Sequence, residues 1–239
     1  MASKLKGNII VQHWSGPKHE WVRWAEKSVR KYCKTIGCEY ELLTDFPLGD
    51  IVEQKKEKPY QVIQKLSVLG ERFDKYEQLL LLDMDMVATP VAENVFNHKG
   101  IGRLHLVGME QANASKNGRK WPNLYHEDYP MFFGNFIKLN RQQRRTLHAA
   151  LVNNKEEIIN KNFSEDGLPP NDEIILHHLF YLTGAFRYAS DHNDIQVPHM
   201  RFCDLPEESH PNATFLHFCN SRKNQIPDVV RKLYGLSLL

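Results

Sequence analysis

The sequence predicts an α/β fold, a mostly parallel central sheet flanked by helices in a single domain, and three observations carry that reading. The first 90 residues alternate short apolar runs with stretches of helical periodicity, the pattern of parallel strands joined by right-handed crossovers. The run Leu79-Leu80-Leu81-Leu82 is apolar enough to be buried on both faces, as central parallel strands are, and it ends abruptly in Asp83-Met84-Asp85. The composition, 41% hydrophobic and 25% charged over 239 residues, is ordinary for one sizeable core.

Taken in order, Asn8 to Gln12 is a β-branched run that predicts the first buried strand, and His13-Trp14-Ser15-Gly16-Pro17 is its turn. Val22, Ala25, Val29, Tyr32, Cys33 and Ile36 recur at helical spacing, and Gly37 marks the stop. Cys38 to Leu43 reads as a second strand with Thr44-Asp45-Phe46-Pro47 as its exit. A second helix carrying Tyr60, Ile63, Leu66 and Leu69 then leads into the acidic strand. Residues 1–90 are thus a half-domain of the nucleotide-binding type, and 91–239 form the rest of the same domain.

Regularity weakens after Thr89-Pro90. A strand is expected around Leu104 to Met109, followed by the polar segment Gln111 to Asn123, a surface loop or a lid. Met131 to Leu139 returns to strand character with Gly134 inside it, which suggests a bulge or the close approach of another group. Arg141 to Asn160 predicts one long helix, and another opens at Asn171 or Asp172. Phe202 and Phe215 to Phe218 read as late strands.

The net charge of +2 gives no basis for nucleic-acid binding, and the clusters at Lys55-Lys56 and Arg141-Arg144-Arg145 read as solvated faces. Cys33, Cys38, Cys203 and Cys219 contain no CxxC pair, so reduced thiols are expected rather than a zinc knuckle. The polar start Met-Ala-Ser-Lys-Leu-Lys-Gly lacks a signal-peptide core, and no run approaches the ~18 apolar residues of a membrane span. A cytoplasmic chain with no membrane insertion is the expectation.

The chemistry centres on Asp83 and Asp85. In an extended chain they point to the same side, and two carboxylates a few Å apart repel unless a cation or a shared proton intervenes. A divalent metal is the simplest partner, and the carboxyl ends of sheet strands are where ligands gather in open α/β folds. Two enzyme classes carry such a pair after a buried strand: nucleotide-sugar glycosyltransferases, and haloacid-dehalogenase-like phosphatases in which the first Asp (here Asp83) would be a nucleophile. The phosphatase motif normally opens its domain, whereas here a full strand-helix-strand-helix unit precedes the pair, which favours the transferase. A non-catalytic nucleotide-sugar binder is the third alternative.

A second constellation lies at Phe215-Leu216-His217-Phe218-Cys219-Asn220-Ser221-Arg222-Lys223. An imidazole in an aromatic strand is by itself a common core residue. The basic pair after it changes its meaning: a metal on Asp85 and His217 would leave Arg222 and Lys223 to neutralise phosphate. An imidazole among oxygen ligands tilts the choice from Mg²⁺ toward Mn²⁺.

On these residues the chain resembles the GT-A family of glycosyltransferases, in particular small members related to glycogenin and bacterial galactosyltransferases, and in texture the glycosyltransferase domains of large algal viruses. Leu-Leu-Asp83-Met-Asp85 matches the family's metal motif. Asp172-Glu173-Ile174-Ile175-Leu176-His177 is similar to its Asp-Gln-Asp-x-Leu-Asn helix start, with Asp172 retained. His217-Phe218 through Lys223 is similar to His-Phe-x-Gly-x-x-Lys-Pro-Trp, with Asn220 and Asn224 replacing Gly and Pro. Phe132-Phe133-Gly134-Asn135 departs from the family's Phe-Asn-Ala-Gly.

The resemblance implies a GT-A-like fold and a donor such as a UDP-sugar, UDP-glucose for example, with a carbohydrate acceptor. It implies a metal on Asp83, Asp85 and His217, with Asp83 also reaching donor hydroxyls, and phosphate contacts from Arg222 and Lys223. Gln12, His13 and Trp14 at the end of the first strand are then candidates for the nucleobase pocket, although Trp14 also suits a hydrophobic staple for the next helix. Lys65 could reach the donor, though a solvated helix lysine is the plainer expectation. Asp172 is the catalytic candidate, with a helix cap as its other role and Glu110 and Asp191 as further candidates. Inversion and retention both remain open at this point.

Overall fold

A computed structural model of the chain describes residues 6–45, 64–90, 93–98, 102–104, 126, 132–162, 172–184, 200–202, 213–218 and 220–235. Strands β1 (Ile9–His13), β2 (Glu39–Leu43), β3 (Gln78–Leu82), β5 (Gly102–Leu104) and β6 (Phe132–Asn140) form one sheet in the order β2-β1-β3-β6-β5. β1 pairs in parallel with both β2 and β3, and β6 runs antiparallel to both β3 and β5, so four strands point one way and β6 the other. A second sheet of β4 (Met86–Ala88), β7 (Met200–Phe202) and β8 (Phe215–His217) has the order β4-β8-β7.

Alternation along the strands divides the core in two. Ile9, Val11, Leu79, Leu81, Ile137 and Leu139 face one side, against Leu147 and Leu151 of α2 (Arg141–Asn153) and Ile174, Ile175 and Leu179 of α4 (Asp172–Thr183). Ile10, Leu80, Leu82 and Phe136 face the other, against Val29, Tyr32 and Cys33 of α1 (Glu20–Ile36). A third cluster joins Trp21, Val22 and Ala25 of α1 to Met84, Leu216, Phe218 and Val230, the last on α5 (Ile226–Tyr234). β1 and β3 are therefore covered on both faces, and polar groups are left to their ends.

The predicted first helix spans Glu20–Ile36 and stops where Gly37 takes φ +73°, with Cys38 N–H donating to Cys33 O at 3.0 Å, a left-handed C-terminal cap. The second helix differs from expectation: its described end, Lys65–Leu69, is a 3₁₀ turn whose five residues are all buried, while Tyr60 and Ile63 lie outside the described residues. The long helix expected from Arg141 is two. α2 starts with a capping box between Asn140 and Gln143 and ends at Asn154, and α3 (Lys155–Asn162) follows.

Arg144, expected on a solvated face, is fully buried, and its guanidinium donates to Phe73 O at 2.7 Å, Tyr76 O at 3.1 Å and Leu139 O at 3.5 Å. It gathers carbonyls from the segment before β3 and from the end of β6, a use of the planar fork that sequence spacing does not reveal. Cys33 and Cys38 are free thiols. Cys203, Cys219, Lys55, Lys56, Glu110, Asp191, the segment 111–123 and most of the expected strand after Leu104 lie outside the described residues. Among the described residues no helix is long and apolar enough to cross a membrane.

Candidate metal and donor site

The acidic pair sits where β3 gives way to a turn. Strand pairing ends at Leu82, and Asp83, Met84 and Asp85 form a tight reversal closed by Met86 N–H donating to Asp83 O at 3.2 Å. The two acids are thus not on one extended strand, as alternation predicted; the turn rather than the pleat brings them together. Asp83 is fixed from three sides. Its N–H donates to Asn135 O at 2.9 Å on β6, its carbonyl accepts from Gln12 Nε2 at 2.9 Å on β1, and its carboxylate meets Lys65 Nζ at 2.5 Å.

Asp85 is brought to His217 by the second sheet. The β4–β8 register pairs Met86 with His217, and Phe218 N–H donates to Asp85 O at 3.0 Å, so the two side chains share one end of the ribbon. Asp85 Oδ1 lies 3.2 Å from His217 Nε2, and Oδ2 lies 2.9 Å from Lys223 Nζ. Ligand atoms of Asp83, Asp85 and His217 all fall within 4.8 Å of one another. Asp85 Oδ1 is buried, makes no well-formed hydrogen bond and has the His217 ring nitrogen 3.2 Å away. Two carboxylates and an imidazole gathered in this way suit a divalent cation, Mn²⁺ or Mg²⁺, by donor chemistry.

Charge is distributed unevenly over the pair. Burial raises the Asp83 carboxyl above its usual range, Lys65 opposes that, and the nearby Asp172 and Asp85 add to it. Burial acts the same way on Asp85, but the His217 ring and the Lys223 ammonium outweigh it and hold that carboxyl low. Of the two acids, Asp85 is the one held more firmly as an anion.

Lys65 is not a solvated helix lysine. It is buried, and its ammonium contacts Asp83 Oδ1 at 2.5 Å, Asp172 Oδ2 at 2.7 Å and Gly134 O at 3.2 Å. Those contacts occupy all three of its donors. Burial lowers its basicity, and Asp172 and Asp83 outweigh that and hold the ammonium above its ordinary value.

Asp172 is the first residue of α4 and lies behind Lys65, outside the lining of the cleft. Glu173, which the sequence reading passed over, accepts from Gly134 N–H at 2.9 Å. Burial and the neighbouring Asp172 push its carboxyl up to about 7. The expectation of a close approach at Gly134 is met: a Cβ there would fall 2.0 Å from Asp172 Oδ2 and 2.9 Å from Glu173 Cγ.

The cleft over the acidic turn is lined by His13, Trp14, Trp21, Lys65, Asp83, Met84, Asp85 and Lys223. Trp14 donates to Pro17 O at 2.9 Å and meets Trp21 edge to face at 4.9 Å, so it closes the turn after β1 and walls the cleft at once. His13 Nε2 is 3.1 Å from Asp45 O, and burial lowers its basicity. Trp21, also missed in the sequence because it reads as an ordinary helix residue, sits under Lys223, whose Nζ is 5.3 Å from its ring centre. Two candidates are displaced. Gln12 is fully buried, its amide committed to Asp83 O and the Tyr40 hydroxyl, so it braces the turn instead of facing the cleft. Arg222 does not line the cleft either.

No protein-family model and no curated protein matches the sequence. Solved structures do match in fold. A glycosyltransferase involved in the glycosylation of the major capsid of PBCV-1 superposes with a TM-score of 0.55 at 11% identity, covering 93% of this chain and 98% of that one. The bifunctional glycosyltransferase WbbM gives 0.51 at 7% identity, covering 100% of this chain and 51% of that one. An active-site mutant of LgtC gives 0.50 at 10% identity, covering 97% of each chain. Helices on both faces of a mostly parallel sheet, an acidic turn at the carboxyl end of its central strand and this set of neighbours converge: the chain has the GT-A-like fold of glycosyltransferases.

Proposed function

We propose that the chain is a metal-dependent glycosyltransferase that moves a sugar from a nucleoside diphosphate donor, such as UDP-glucose, to a hydroxyl of a glycan or other acceptor. The observation that carries this is the convergence of Asp83, Asp85 and His217 within 4.8 Å beside the ammonium of Lys223. A diphosphate leaving group needs cationic charge at that place. The likeness of fold to glycosyltransferases favours transfer over the phosphatase alternative.

In this reading Asp83, Asp85 and His217 hold Mn²⁺ or Mg²⁺, which supplies Lewis-acid charge to the diphosphate when bound. Lys223 leaves Asp85 to meet phosphate oxygens, where negative charge grows as the anomeric bond breaks. The Trp21 ring beneath the ammonium keeps it at the cleft. Trp14 and His13 at the end of β1 wall the nucleobase end, in the half formed by residues 1–90. Lys65 fixes the Asp83 carboxylate, and Asp172 keeps Lys65 charged, so Asp172 acts through Lys65 instead of touching the donor. Residues 91–239 contribute His217 and Lys223 and carry the acceptor side.

A thermal-shift screen of nucleoside diphosphates and their sugars, with and without Mn²⁺, tests this. A UDP-sugar at 100 times its Kd should stabilise the fold by about 2.7 kcal/mol, and only when metal is present. Absence of any nucleotide response in Mn²⁺ would reject the reading. A response without UDP release in the presence of any acceptor or water would leave a binder rather than an enzyme.

A further inference from the structure

Asn135 has no role in the reading above, yet it is 3% exposed and stands directly behind a metal-ligand candidate. Its Nδ2 lies 3.1 Å from His217 Nδ1, and its Oδ1 is buried without a hydrogen-bond partner. Its backbone carbonyl accepts from Asp83 N–H, so the residue braces both halves of the site. With Nδ2 donating, His217 Nδ1 is an acceptor and the ring proton sits on Nε2, facing Asp85 Oδ1. An imidazole in that tautomer cannot give Nε2 to a metal.

Rotating the amide by half a turn exchanges oxygen for nitrogen with almost no change of shape. Oδ1 then accepts Nδ1–H, the amide nitrogen takes the place where the oxygen had no donor, and Nε2 presents its lone pair to the space shared with Asp85. Ligating histidines commonly use their second nitrogen to donate to such an acceptor, and removing the acceptor weakens metal binding roughly 10- to 100-fold. We propose that Asn135 is the positioning residue that sets the tautomer of His217 and so makes Nε2 a metal ligand. The inference rests on the metal site of the proposed function and concerns which atom of this chain prepares it.

Isothermal titration of Mn²⁺ into the protein at fixed UDP tests it in wild type, Asn135→Leu and Asn135→Asp. Asn135→Leu, which removes the acceptor, should lose about ten-fold or more in Mn²⁺ affinity. Asn135→Asp, which keeps an acceptor facing Nδ1, should stay within about three-fold of wild type. Long-range ¹H–¹⁵N spectra of the wild-type protein with Cd²⁺ as a diamagnetic stand-in should place the His217 proton on Nδ1, with the assignment made from His217→Gln. The inference is overturned if folded Asn135→Leu binds Mn²⁺ like wild type, if Asn135→Asp loses as much as Asn135→Leu, or if the metal-loaded wild type keeps its proton on Nε2. Wild-type protein that binds neither Mn²⁺ nor UDP would instead reject the proposed function itself.

Discussion

Replacing Gly134 by alanine tests how tightly the acidic half of the site is packed. The new Cβ would sit 2.0 Å from Asp172 Oδ2, 2.9 Å from Glu173 Cγ and 3.0 Å from Asp172 Cγ. Asp172 cannot swing away freely, because Lys65 holds the same oxygen at 2.7 Å. Either α4 backs off from β6 or the ion pair opens. Overpacking of this kind costs about 1–3 kcal/mol. Loss of one of the two carboxylates around a buried ammonium adds about 1–2 kcal/mol, less than an isolated buried pair because Asp83 remains. The total, about 2–5 kcal/mol, corresponds to a fall in Tm of about 4–20 °C for a domain of this size. Urea denaturation of the single variant and of the same change in an Asp172→Ala background measures it. Removing Asp172 removes the closest clash, so the cost of Gly134→Ala should shrink by at least about 1 kcal/mol there, a coupling well above additivity error. Equal costs in the two backgrounds, or no cost in either, would refute the packing described here.

Other predictions concern the metal, the charges and the core. Asp85→Ala should reduce Mn²⁺ affinity about 100-fold or more with little loss of stability, because the partly exposed Lys223 can rehydrate; calorimetric titration and a melting curve read both. Lys223→Met keeps an unbranched side chain of similar length but removes the ammonium, so UDP binding in Mn²⁺ should weaken about ten-fold while Mn²⁺ alone binds at least as well as before. Glu173 is an acid raised to about 7, so the folded protein holds its proton where the unfolded chain, near 4.5, has lost it. Its contribution therefore falls as pH rises from about 5 through 7, and Glu173→Gln should flatten that decline and be the more stable form at pH 8 by about 1–2 kcal/mol. Arg144→Met should cost about 2–4 kcal/mol in urea denaturation, since it strands the buried Tyr76 carbonyl and leaves Phe73 O with the Tyr76 N–H alone.

Much of the scaffold was legible because burial writes itself into hydrophobic pattern. Ile9 to Val11 and Leu79 to Leu82 are strands buried on both faces, and α1 shows its apolar stripe and its glycine stop. The acidic pair and His217, though not the turn that joins the two acids, were legible for the opposite reason, as polar groups in places where polarity is expensive. What escaped was long-range and polar. Lys65 and Arg144 look like any helix cation in sequence, and only the arrival of Asp172, or of three carbonyls, turns them into buried clamps. Nothing local marks the 3₁₀ character of Lys65–Leu69 or the break at Asn154, since both are decided by tertiary packing. Gln12 lay at the right strand end but faced a carbonyl, because strand alternation sent it inward while His13 pointed to the cleft.

The short antiparallel pairing of β4 with β8 joins Met86 to His217, residues about 130 positions apart in the chain. Three paired positions are a small reward for closing so long a loop, and loop closure is the slow, entropically costly part of folding. The cation site cannot exist before that closure. A metal bridging Asp85 and His217 would thus act as a clasp across that long loop, and cation concentration would bear on whether the two ends stay together.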